Sequence, residues 1–113
     1  MESILTSVKK MLGITEEYDY FDADIIMHIN SVFMILNQLG VGPENGFYIE
    51  DDTATWFDYI KDATEQQMVK SYMALKVRLL FDPPASSTVM QAIQQSITEL
   101  EWRINVAVDP KQK

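Results

Sequence analysis

Asp19, Asp22 and Asp24 are three carboxylates within six positions, the spacing at which a loop could hold calcium or magnesium. A calcium loop also needs a glycine at its sharp turn and a distal glutamate, and neither follows here. Helix capping is the better reading: Asp22 stands where a cap belongs, and Asp24 falls in the first turn, where the helix dipole favours negative charge. His28 is the only histidine, and general acid or base work would need a nucleophile or carboxylate converging on it. On an apolar helix it reads as structural. Glu50, Asp51 and Asp52 form a second acidic run, read as a solvated loop. Lys76 and Arg78 could contact nucleic acid or a partner, but for either one alone a stem on a packed surface with its charge in water, or a pair with a carboxylate, is the better reading. No phosphate-binding glycine loop, dinucleotide fingerprint or serine elbow occurs. No catalytic, cofactor-binding or metal-ligating residue is therefore assigned, and the chain reads as a non-enzyme.

Composition narrows the classes further. At 113 residues the chain can bury one core, and 47% apolar with 23% charged residues describes an ordinary globular domain. No run reaches the roughly 18 apolar residues of a membrane span, and the start lacks a cationic segment leading into an apolar block. The absence of cysteine removes disulfides, thiolate nucleophiles and zinc thiolates together. Residues 1–62 carry twelve Asp/Glu against three Lys, net −9, while residues 63–113 carry five against six, net +1. DNA affinity comes from basic side chains that release phosphate counterions, and an acidic chain offers the opposite.

The elements that must position these groups follow from apolar spacing. Ser3 caps a helix over about Ile4–Leu12, with Gly13 just past its end. A linker over Thr15–Phe21 leads to a helix over about Asp22–Leu39, apolar on more than one side. Gly40, Gly42 and Pro43 stop it, Asn45-Gly46 marks a tight turn, and Phe47-Tyr48-Ile49 could be a short extended segment. Thr53 is placed as the cap of a short helix over Trp56–Ile60 whose aromatics pack inward. Thr64 opens a long helix to about Phe81 with two seams, Met68, Tyr72, Leu75, Leu79 and Val69, Met73, Val77, Leu80.

Pro83-Pro84 cannot continue that helix, so the last one, about Ser87–Val106, must fold back on it with Val89, Ile93, Ile97, Leu100 and Ile104 as its seam. The register places Lys70 near Glu99 and Glu65 near Arg103. The expected fold is mainly α: a small helical bundle with a long C-terminal antiparallel helical hairpin and at most one short extended segment. Residues 1–106 form the single domain and 107–113 a flexible tail. The second seam of the long helix is either buried within the chain or a subunit interface. The residues assigned to that interface are Met73, Lys76, Val77, Arg78, Leu80, Phe81 and Trp102.

Two strings are more specific than periodicity: Lys-Val-Arg-Leu-Leu-Phe-Asp-Pro-Pro at 76–84 and Glu-Leu-Glu-Trp-Arg-Ile-Asn-Val at 99–106. Together with Val8-Lys9-Lys10-Met11-Leu12-Gly13-Ile14, Asp24-Ile25-Ile26-Met27-His28-Ile29-Asn30, Leu39-Gly40-Val41-Gly42 and Trp56, they resemble the small head-tail connector (head-completion, or adaptor) proteins of tailed bacteriophages. The resemblance implies a structural virion protein at the head-tail junction, assembled in the bacterial host cytoplasm. It implies a ring of copies, commonly matched to the twelvefold portal, that attaches beneath the portal after DNA packaging and extends the channel toward the tail. The implied partners are further copies, the portal and the next head-completion or tail component, with DNA passing without specific binding and no membrane or cofactor involved. Two competing classes are a small bacterial helical interaction or regulatory module and, more weakly, a metal-dependent enzyme using the aspartates.

Overall fold

A computed structural model describes the backbone of residues 2–112 and the side chains of residues 2–107. Five helices follow in order: α1 (Ile4–Met11), α2 (Asp22–Gln38), α3 (Trp56–Tyr59), α4 (Ala63–Phe81) and α5 (Ser87–Gln112). Among the described residues there is no strand, and the one extended pairing is an isolated antiparallel bridge between Ser3 and Thr55.

Local chemistry explains most of the boundaries. Ser3 Oγ accepts from the Thr6 amide at 3.2 Å and starts α1. Past its end Gly13 takes φ +81°, which lets the Ile14 amide return to the Lys9 carbonyl at 2.9 Å. Asp62 caps α4 by accepting from the Glu65 amide at 3.0 Å, and Ser86 Oγ accepts from the Val89 amide at 3.3 Å to start α5. Two caps differ from expectation. The first residue before α2 is Phe21, with no side-chain cap, and the Asp22 carboxylate is drawn away to Lys9. For α3 the cap is Thr55 instead of Thr53, because Asp58 three residues on reciprocates by accepting from the Thr55 amide. Thr53 instead donates from both its amide and its hydroxyl to Asp51, which holds that exposed carboxyl below its ordinary 3.8.

The helix expected to end at Val106 continues to Gln112, so no break in backbone structure separates domain from tail at that point. The side chains of the proposed tail beyond Ala107, and Lys113 altogether, lie outside the described residues.

α4 is the organising element. It packs against α2 and α5 and also touches α1, while α1 packs on α2. Val69, Tyr72, Met73 and Val77 of α4 are buried with Ile25, Ile29, Val32, Phe33 and Leu36 of α2 in one continuous core. Toward α5, the Tyr72 hydroxyl donates to Glu101 at 2.7 Å, and Ile97 and Ile104 are the buried ones among the described side chains of that helix. Burial first, then the Glu101 carboxylate, raises the Tyr72 phenol well above its ordinary 10.0.

The hairpin therefore forms, but its expected charge pairs do not. Lys70 reaches Glu2 at 3.2 Å, and Glu99 holds Arg103 one turn along its own helix at 2.7 Å. A neighbour on the same helix needs less ordering of two long side chains than a cross-hairpin partner.

The connection between α2 and α3 is fixed by one amide. Asn30 donates to the Ile49 carbonyl at 2.9 Å and accepts from the Ile49 amide at 2.8 Å, pairing with the segment as a neighbouring strand would. That is how Ile49, in a segment with no regular structure, satisfies its backbone with no strand beside it.

Candidate functional site

Of the seven residues assigned to an interface, Met73 and Val77 have no exposed surface and belong to the core that α4 shares with α2. The second seam of α4 is therefore covered by its own chain at these two positions, while its last member, Leu80, reaches the surface. Lys76 is half-buried, its ammonium 5.9 Å from the Tyr72 ring centroid. The other four reach the surface: Arg78 is exposed, Leu80 is 51% and Trp102 66% exposed, and Phe81 is half-buried. Trp102 stands on α5, while Phe81 turns toward the start of α2.

Phe81 is part of an aromatic group that spacing alone did not reveal. Its ring meets Phe21 edge-on at 5.2 Å, and His28 lies 6.4 Å away, tilted onto it. Phe21 in turn contacts Tyr20 at 4.9 Å and Tyr18 at 5.9 Å. Offset and edge-on geometries of this kind are the favourable ones for aromatic rings. The local signal was present as Tyr18, Tyr20 and Phe21 within four positions, but these lie in a segment read as an acidic linker. Only the fold brings them to the end of α4.

The linker is held against the body by Lys9. This lysine is 2% exposed; its ammonium sits 2.8 Å from Asp22 and donates to the Glu16 carbonyl at 3.0 Å. It thereby ties α1, the linker and the start of α2 at one point, and it presents Tyr18 and Tyr20 outward, 50% and 75% exposed.

Phe21, Asp24, His28, Phe81 and Asp82 line an open groove at this junction. Asp24 and Asp82 make no ion pair among the described residues. His28 is half-buried and makes no hydrogen bond among them, so no acid-base relay is assembled around it. The three aspartates first weighed as a cation loop are separated in role: Asp22 pairs with Lys9, and Asp24 faces the groove. No group of three His, Cys, Asp or Glu among the described residues could hold a metal ion.

A second surface runs along the outside of α2, where Met27 and Met34 are 58% and 65% exposed, with Tyr48 at 67% beyond the Asn30 clamp. On α5, Val89 and Val106 are exposed together with Trp102. The molecule therefore carries aromatic and thioether groups on several separate faces, as a component with more than one neighbour would.

No helix among the described residues is long and apolar enough to cross a membrane. A family model described as phage connector protein matches residues 4–111. No curated protein and no solved structure matches the chain.

Proposed function

We propose that this chain, which belongs to the phage connector protein family, is a virion component that joins head to tail by forming a ring beneath the portal once DNA is packaged. The observation that carries the reading is the extent of the family match, which runs from the first residue of α1 nearly to the end of α5 and so includes the whole helical body. That family is one of structural proteins, and the groove and outer helix faces carry carboxylates, aromatics and thioethers.

Surface character supports the ring. Closed rings of one chain use heterologous contacts, in which a patch on one copy meets a different patch on the next. Separate apolar faces on α2 and α5 provide two such patches on one protomer. The net charge of −8, concentrated in residues 1–62, suits a channel wall, because an electronegative surface repels packaged DNA and lets it pass without sticking. The partners in this reading are further copies, the portal, and the next head-completion or tail component.

Light scattering across a range of protein concentrations, alone and with the portal of the same phage, tests the proposal. Assembly into a ring, or capture by the portal, is expected. A protein that stays monomeric throughout and ignores the portal would argue against it.

A further inference from the structure

We propose that the groove between the linker, the start of α2 and the end of α4 docks a cationic segment of a different protein, one that presents Arg or Lys side chains, and not a second copy of this chain. The inference deepens the connector reading and rests on it only for the partner's origin in a neighbouring virion component.

The groove has the two features that recognise such side chains. Phe21 and Phe81 supply aromatic walls, set edge to face, with Tyr20 extending the surface outward. A guanidinium stacks on an aromatic face within about 6 Å of its centroid, more favourably where water is partly excluded. Asp24 and Asp82 border the same walls from opposite helices, and neither is neutralised by a cation among the described residues. Aromatic walls with carboxylates at the rim suit a planar cation better than an apolar or anionic ligand.

Charge decides between a second copy and another protein. Lys9, Lys70 and Arg103 are engaged with Asp22, Glu2 and Glu99. Lys61 and Lys76 lie over the rings of Phe57 and Tyr72. Of the seven basic side chains described this leaves Lys10 and Arg78, and Lys111 and Lys113 lie outside the described residues. A second copy with a net charge of −8 would bring mainly like charge to a rim that is itself acidic, whereas a basic segment is both steered in and held. Arg78 lies one turn before Asp82 on α4 and is the cation nearest in sequence to the groove.

The experiment uses the full chain and a labelled peptide of alternating Gly and Arg, nine residues long, at physiological salt, followed by fluorescence anisotropy and by amide shifts in NMR spectra. Shifts centred on Phe21, Asp24, His28 and Asp82 are expected. An Asp24→Asn/Asp82→Asn variant, checked for an unchanged fold by circular dichroism, should bind about tenfold more weakly. A Glu50→Gln/Asp51→Asn variant, with the same change in charge on a loop that does not line the groove, should bind within about twofold of the parent. Arg78→Gln should bind as well or better. Equal losses in the two acid variants would overturn the proposal, since the attraction would then be diffuse charge. Loss of self-assembly in Asp24→Asn/Asp82→Asn, or in Arg78→Gln, would overturn it in favour of a contact between copies. Ring formation is read separately by light scattering, so failure of the connector reading and failure of this groove are told apart.

Discussion

Trp56 Nε1 donates to Ser7 Oγ at 2.7 Å, joining α3 to α1 across forty-nine positions of sequence. Ser7 passes the bond on by donating to the Ile4 carbonyl at 3.0 Å, so both polar groups are satisfied inside the core. Ser7→Ala would strand the indole N–H where water cannot reach it. The expected loss is about 1–3 kcal/mol in urea denaturation, and Trp56→Phe in the same background should cost less than it does alone, because the donor has gone with its acceptor.

The Lys9–Asp22 pair makes an unequal prediction for its two members. Lys9 is nearly enclosed while the Asp22 side chain is 29% exposed. Asp22→Asn leaves a buried ammonium without its counterion and should cost about 3 kcal/mol. Lys9→Met removes the buried charge and keeps the volume, and the carboxylate it leaves is enclosed at Oδ1 but 29% exposed as a whole, so it should cost less than Asp22→Asn, about 1–2 kcal/mol. Thermal melts of the two variants give the comparison. A larger loss for Lys9→Met would mean that the bond to the Glu16 carbonyl outweighs the ion pair.

Glycines 13 and 42 share a left-handed backbone but not a neighbourhood. At Gly13, φ +81°, an added methyl would meet nothing within 4 Å, and Gly13→Ala should lose only the conformational cost of about 1 kcal/mol. At Gly42, φ +85°, the methyl would lie 2.5 Å from Tyr59 Cε1. Gly42→Ala adds this overlap to the same backbone cost, for about 3 kcal/mol in total. Melting temperatures should separate the two variants clearly.

Tyr59 sets a limit on the alkaline side. Burial raises its phenol well above the ordinary 10.0. A group whose ionisation is suppressed only in the folded state contributes fully below its unfolded value and loses that contribution as pH rises past it. Stability should therefore fall above about pH 10 with a slope approaching 1.4 kcal/mol per pH unit from this group, and Tyr59→Phe should flatten the fall. Denaturant midpoints from pH 9 to pH 11 supply the measurement.

The long hairpin and α1 were readable because each rests on a local rule: a seam at helical spacing, two prolines that lack an amide donor, and a serine placed before an apolar run. Where the reading failed, a competing partner decided. Asp22 suits a cap until Lys9 arrives from another helix, and Thr53 suits one until Thr55 is seen to have Asp58 three residues on. For Met73 and Val77 the spacing left burial and interface both open, because one helix cannot show how many neighbours its fold will supply, and both are buried. The groove was hidden for the same reason: Phe21 and Phe81 are sixty positions apart, and only the packing of α2 on α4 makes them adjacent.

The last helix is fastened chiefly along α4, and among its described side chains Ile97 and Ile104 alone are fully enclosed. Its departure would uncover one flank of α4 and leave α1, α2 and α3 stacked as before. Structure is therefore expected to be lost in two stages, with backbone amides in the centre of α5 trading their hydrogens with heavy water well before those of α2, through an opening far smaller than global unfolding.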